Sequence, residues 1–289
     1  MVKRRYVGDG QLELFTIAAH SSDIRAKNVR ELMSWGMFNI SNRHKLALEH
    51  SQGDKWMKIE ANAGKSIASQ HDNDILIFLT SHLVNSLNMG EKVGPRMFFT
   101  ANEFFRFTRR EHVGGTRYTQ IWDMLYRLND TFVHTNIDIG NGQRVESRWN
   151  WLPEIHRKTN NISGKVIGFE VVIASSIFDA INQSTPAVLT LDPRYFDFRS
   201  GFQKFLYMFA RRSAGMDHEW IVTEKMLHAR SGSSLILSQW RKLLTEVYDS
   251  GELADYKIKK AMIGKEKAVA FERNKYSASK VHRTTITME

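Results

Sequence analysis

Hydrophobic positions recur along the chain at helical spacing in some stretches and in alternation in others. Asp74 precedes Ile75-Leu76-Ile77-Phe78-Leu79, with Leu83, Val84 and Leu87 after it and Gly90 as a stop, which predicts a helix with a buried apolar face. Met97-Phe98-Phe99 reads as a short strand, and Thr100 with Glu103 three residues on is a capping pair that opens a helix. Gly114-Gly115 breaks the chain, and Thr116 opens a second helix to about Asn129. Strand, helix, glycine turn and helix follow one another in helix-turn-helix order.

Phe132 to Ile139 alternates toward Gly140-Asn141-Gly142, where Asn-Gly suits a tight hairpin turn, and Gln143 to Trp151 runs back. A hairpin directly after a helix-turn-helix is the pattern of a wing. A turn at Asn160 to Gly164 leads to a third strand, Lys165 to Ala174, after which Ser175 or Ser176 is expected to cap a short helix to Ile181. Before all this the patterns are weaker: Ile24, Val29, Leu32 and Met33 predict a helix from Ser22 to Trp35, and Trp56 to Glu60 reads as a strand.

After a linker at Asn182-Gln183-Ser184-Thr185-Pro186 the same order returns. Gly201 to Arg212 is helical with Phe202, Phe205, Leu206 and Phe209 on one face, and Trp220-Ile221-Val222 is a strand. Thr223 caps a helix through Leu227, Ser231-Gly232-Ser233 breaks it, and Ser234 to Tyr248 is a long helix with Trp240, Leu244 and Val247 inward. Tyr256 to Met262 and Lys267 to Arg273 flank Ile263-Gly264-Lys265-Glu266 as a second wing. Phe99-Thr100 echoes Val222-Thr223, and Trp122 with Leu125 echoes Trp240 with Leu243. One architecture is present twice. The expected fold is α+β: two tandem winged-helix domains, residues 1–182 and 187–275, and a basic tail at 276–289.

Composition narrows the function classes. A chain of 289 residues suits two domains, and 42% hydrophobic with 25% charged residues is that of a folding globular protein. Cysteine is absent, which excludes disulfides, thiolate metal sites and cysteine nucleophiles and fits a reducing cytoplasm. No uncharged run is long enough to span a bilayer, so no membrane partner is expected. The net charge is +10, with 41 Lys and Arg against 31 Asp and Glu, and nucleic acid is the commonest partner of such a chain.

Candidate enzymatic chemistry falls away residue by residue. Gly64-Lys65-Ser66 resembles the end of a phosphate-binding loop, but the glycine that loop needs five residues earlier is Ile59. The 11 histidines form no His-x-His or His-x-x-x-His pair, and Asp72 and Asp74 read as caps of the helix that follows them. A metal-dependent nuclease or a tyrosine nicking enzyme therefore lacks its ligands, and neither an enzymatic activity nor a cofactor is expected.

The outer faces of the two second helices carry donors suited to duplex DNA. The first presents Thr116, Arg117 and Gln120 beside Asp123, and the second presents Ser233, Ser234, Ser238, Arg241 and Lys242. Arg and Lys bond guanine edges, Gln bonds adenine, and all reach phosphate. Arg144 in the first hairpin and Lys265 and Lys267 in the second are expected to lie along the backbone. Trp122, Trp240, Phe202 and Phe205 lie on apolar faces and are expected in the core, whereas Tyr195 and Phe196 are assigned to neither. The second helix, with Arg241 as base reader, is expected to carry most specificity, because Asp123 on the first is repelled by phosphate unless it faces a cytosine amine or a protein partner. From Asp255 to Glu289 nine Lys or Arg stand against four acids.

These residues resemble the plasmid replication initiators of the RepA type, the replication initiator protein A family of Gram-negative bacteria. The likeness rests on Asp74-Ile75-Leu76-Ile77-Phe78, Arg96-Met97-Phe98-Phe99-Thr100, Gly115-Thr116-Arg117-Tyr118 with Leu125 and Leu128, and Thr135-Asn136-Ile137. It continues through Leu189-Thr190-Leu191-Asp192, Tyr195-Phe196, Phe205-Leu206-Tyr207 with Ala210-Arg211-Arg212, Ser231-Gly232-Ser233 and Trp240-Arg241-Lys242-Leu243-Leu244. The resemblance implies a non-enzymatic protein of two winged-helix domains that binds direct repeats (iterons) of a plasmid origin and opens adjacent A·T-rich DNA. It further implies recruitment of the host replication initiator and replicative helicase, and a self-associated dimer, joined through the first domain, that represses its own promoter at an operator. A winged-helix transcriptional regulator without initiator activity has the same element order and is the alternative.

Overall fold

The computed structural model describes residues 15–17, 24–41, 44–62, 64–110, 116–137, 146–183, 187–215, 217 and 219–274. The chain opens with β1 (Phe15–Thr16), β2 (Lys27–Val29), a 3-10 turn at Glu31–Met33, and the hairpin β3 (Ala47–Gln52) and β4 (Lys55–Ala61). It continues through α1 (Asn73–Asn88), β5 (Arg96–Phe99), α2 (Ala101–Phe107), α3 (Arg117–Asp130), β6 (Thr131–Thr135), β7 (Ser147–Asn150), β8 (Glu154–Thr159), β9 (Val166–Val172) and α4 (Ser175–Ile181). The second half holds β10 (Val188–Thr190), a 3-10 turn at Pro193–Asp197, α5 (Gly201–Ser213), β11 (Glu219–Thr223), α6 (Glu224–Arg230), α7 (Leu237–Ser250), β12 (Glu252–Leu253), β13 (Tyr256–Ile263) and β14 (Glu266–Arg273).

Each half is built on a sheet whose central strand is its last. The first sheet has the order β1-β5-β9-β8 and the second β11-β14-β13-β12, so β9 and β14 each lie between the strand before the helix pair and the strand after it. The helix starts follow local chemistry. Thr100 accepts from the Glu103 amide while the Glu103 carboxylate accepts from the Thr100 amide, and Thr223 accepts from the Met226 amide at 3.2 Å. Helix α1 is buried around its circumference, from Asn73 to Val84, so it sits inside the protein and its Ile77 joins the core of the second half. Phe107 packs against both cores, and Phe196 meets it at 5.4 Å.

Several local expectations give way to long-range pairing. In place of the helix expected over Ser22 to Trp35, the described residues 24–35 form β2 and the short 3-10 turn at Glu31–Met33: Val29 pairs with Val188 and Lys27 with Thr190, so β2 and β10 make a small antiparallel sheet. The hairpin of β6 and β7 is not beside β5. It joins β3 and β4 in the order β3-β4-β6-β7, and the hairpin that completes the first sheet is β8-β9, turning at Asn160 to Gly164. Local alternation defines a hairpin without defining the sheet it enters. Neither Asp72 nor Asp74 caps α1, since no side-chain cap bond is made and both carboxylates take basic partners instead. Ala174, not a serine, precedes the first turn of α4. Helix α7 begins at Leu237, which leaves Ser233 and Ser234 in the preceding turn. Gly114-Gly115, the Gly140 to Gly142 tip, Arg144, Ser184 to Pro186 and the basic tail lie outside the described residues.

Candidate nucleic-acid interface

In the first half α3 turns Ile121, Leu125 and Leu128 into the core and leaves Thr116, Gln120 and Asp123 exposed. Gln120 donates to the Thr116 hydroxyl at 3.2 Å, one helical turn back, and Arg117 stands 5.9 Å above the Phe105 ring of α2. The β8-β9 hairpin flanks this face. Arg157 reaches from β8 to 5.4 Å over the Trp122 ring of α3, a cation–π contact that orients hairpin and helix together. Lys158 pairs with Glu170 at 3.0 Å, and Arg96 is held between Glu170 at 2.8 Å and Glu154 at 2.5 Å. Those bonds to Arg96 and Lys158 hold the Glu170 carboxyl below its ordinary value against the opposing effect of its burial. Exposed Lys165 ends the turn.

In the second half α7 packs through Trp240, Leu244 and Val247 and exposes Ser238, Gln239, Lys242 and Thr245. Arg241 Nε donates to Glu224 at 2.5 Å, so the guanidinium anchors α7 to the first turn of α6. His228 of α6 bonds the Leu235 carbonyl at 2.7 Å, and Ser233 Oγ accepts from the Leu235 amide at 3.2 Å, which fixes the turn into α7. Beside this turn a cavity of about 210 Å³ is lined by Ser233, Ser234 and Leu243 on one side and by Asn39, Ser41 and Lys45 on the other. The Lys45 ammonium donates to the Gly232 carbonyl, and burial lowers its pKa. Lys265 lies at the exposed tip between β13 and β14, and Lys267, opposite Met262, is exposed on β14.

The predicted residues thus fall into two separate groups, one on each helix pair. Tyr195, Phe196, Trp240, Phe202 and Phe205 are buried in the second core, and Trp122 lies half-buried at the rim of the first. Arg157, Lys158 and Lys165, which the sequence pattern does not single out, stand about the Asn160 to Gly164 turn of the β8-β9 hairpin. The sequence pattern places a wing on the hairpin before theirs, which the fold puts in the β3-β4-β6-β7 sheet.

Among the described residues no group of His, Asp and Glu could hold a metal ion, and no helix is long and apolar enough to cross a membrane. The family model of replication initiator protein A matches residues 27–258, which spans both helix pairs. The chain belongs to the replication initiator protein A family. A candidate replication protein of Wigglesworthia glossinidia brevipalpis is 25% identical over 250 residues, covering 83% of this chain and 87% of that protein. Among solved structures, domains 2 and 3 of RctB superpose with a TM-score of 0.62 at 12% identity, over 86% of this chain and 99% of the other. A second structure of RctB domains 2–3 gives a TM-score of 0.55 at 12% identity, over 84% and 96%. That likeness is one of fold, and it extends through both halves. Family membership places the protein in replication initiation.

Proposed function

We propose that this protein is a plasmid replication initiator that binds duplex origin repeats sequence-specifically through two winged-helix domains, with α3 and α7 as recognition helices and the β8-β9 and β13-β14 hairpins as wings. One observation carries the reading: a strand, two helices and a later hairpin follow one another in both halves, with the last strand between the other two (β5-β9-β8 and β11-β14-β13), each time with a polar helix face beside a basic hairpin. A recognition helix enters the major groove while a flanking hairpin meets the backbone. On this reading Thr116, Arg117 and Gln120 serve the first half and Ser233, Ser234, Ser238, Arg241, Lys242, Lys265 and Lys267 the second, with Lys158 and Lys165 added to the first wing. The protein acts by binding, promotes opening of adjacent DNA, recruits the host initiator and helicase, and as a dimer represses its own promoter.

The test is a footprint on the DNA flanking the gene together with a replication assay. Protected tandem repeats, and maintenance of a reporter plasmid that carries them, support the reading. Protection of a promoter without plasmid maintenance would identify a transcriptional regulator instead. Strand cleavage of supercoiled DNA in the presence of a divalent metal would refute a binding-only role.

A further inference from the structure

A fully buried ion pair joins the two halves of the protein. Lys204, near the start of α5, and Asp74, in the first turn of α1, are both fully buried. The Lys204 ammonium donates to Oδ1 and Oδ2 of Asp74 at 2.7 and 2.8 Å, and it stands 4.3 Å over the Tyr195 ring. Arg110 donates to the same carboxylate at 2.9 Å from the turn between α2 and α3. Two residues earlier, Asp72 holds Arg127 of α3. On the other side, Phe202 of α5 meets Trp240 of α7 edge to face at 5.4 Å. A continuous path therefore runs from α3 through Arg127, Asp72, Asp74, Lys204 and Phe202 to α7.

Apolar packing between α1 and α5 is non-directional and tolerates sliding. A buried ion pair does not, because a small displacement leaves a desolvated charge without its partner. Replacing such pairs by apolar residues often leaves stability intact, so geometry is the better account of their presence. We propose that Lys204 is a positioning residue whose pairing with Asp74 fixes the phase between α3 and α7, so that the protein recognises the spacing of its two half-contacts as well as their sequence. This rests on the reading of α3 and α7 as the two recognition helices. One inserted base pair moves the half-contacts apart by about 3.4 Å and rotates them by about 35°, which a locked pair of helices cannot follow.

The experiment has two arms. The chain has no cysteine, so Glu49→Cys and Asp249→Cys, both exposed and in opposite halves, take spin labels for a distance distribution without DNA. In parallel, a duplex selected from a random library by the wild-type protein is footprinted, and one to five base pairs are inserted between its protected segments. The expected wild-type result is a narrow distribution and a loss of about tenfold or more in affinity for one inserted pair. Lys204→Met is expected to broaden the distribution and cut that penalty to about threefold or less, while still binding the unmodified duplex. Asp74→Asn with Lys204→Met, which leaves no buried unpaired charge, is the second variant should the single one fail to fold.

An unchanged distribution in a folded variant overturns the proposal, and so does an unchanged spacing penalty with a broadened distribution. A wild-type footprint of only one segment would instead refute the two-reader reading and with it the phase role, while the label arm still reports whether the pair locks the halves.

Discussion

Asp72 and Arg127 form a two-point ion pair, with Nε at 2.8 Å from one carboxylate oxygen and Nη2 at 2.7 Å from the other. The carboxylate is fully buried, whereas the arginine side chain is 40% exposed. Oδ2, the oxygen that takes Nε, also accepts from the Ser69 amide at 2.7 Å and the Ser69 hydroxyl at 2.9 Å, so the pair fixes α3 against the entry to α1. Arg127→Leu strands a buried carboxylate. A fully buried pair would lose 3 to 5 kcal/mol; water at the exposed side of Arg127 reduces the expected loss to about 2 kcal/mol, read from urea unfolding. Arg127→Lys keeps the charge without the fork and should lose about half as much.

His82 supplies a pH dependence. Burial between Phe78 and Phe107 pushes its imidazole down from 6.5 to about 3, and Nε2 has no hydrogen-bond partner. The unfolded chain binds the proton more readily than the folded one, so this residue's contribution is complete above pH 6.5 and is lost as pH falls from there toward 3. Within that window His82 should add about 1.4 kcal/mol per pH unit to the slope of unfolding free energy. His82→Phe should remove that increment, and an unchanged slope would show that other groups carry it.

Gly36 lies where two backbones touch. A Cβ there would sit 2.5 Å from the Ser231 carbonyl oxygen and 2.8 Å from that of Arg230, and the Gly36 amide donates to Arg230 at 2.8 Å. Gly36→Ala must push away the turn that leads into α7, at a cost of about 1 to 3 kcal/mol. The expected readout is a lower melting temperature accompanied by weaker duplex binding. Normal binding at full occupancy would show that the turn re-seats.

The hairpin tips predict the salt response. Lys265→Ala and Lys165→Ala should each lower the slope of log K against log salt by about one unit and weaken binding to all duplexes alike. The double variant should lose about two units. A loss from Lys265→Ala alone would mean that only the second hairpin meets the backbone. Arg241→Ala should behave differently, because the Glu224 carboxylate it leaves behind is 9% exposed. Lower stability should accompany any change in base discrimination.

What was legible in the sequence is what is settled within a few residues. The Thr100 and Glu103 box, the Thr223 cap and the β13-β14 hairpin about Gly264-Lys265 all depend on near neighbours. The exposed faces of α3 and α7 follow from helical spacing in the same way. The failures have distant partners. Strand β2 exists because Val188 pairs with Val29, and Asp74 reads as a cap until Lys204, 130 residues later, is folded against it. The β6-β7 alternation defines two strands, but β4 on the far side of α1 decides which sheet receives them.

The strand order also governs the sequence in which a nascent chain becomes competent. In each half the central strand is the last to be synthesised, β9 after β5 and β8, and β14 after β11 and β13. A growing chain that has made α6, α7 and β13 still lacks the strand that joins β11 to β13, so α7 has no platform until residues 266–273 emerge. The first half can close its sheet before α5 is made, but the Asp74 carboxylate then waits for Lys204. Folding of such proteins proceeds unit by unit from the N-terminus. A chain cut short before β14 therefore has its first helix pair mounted on a closed sheet and its second without one.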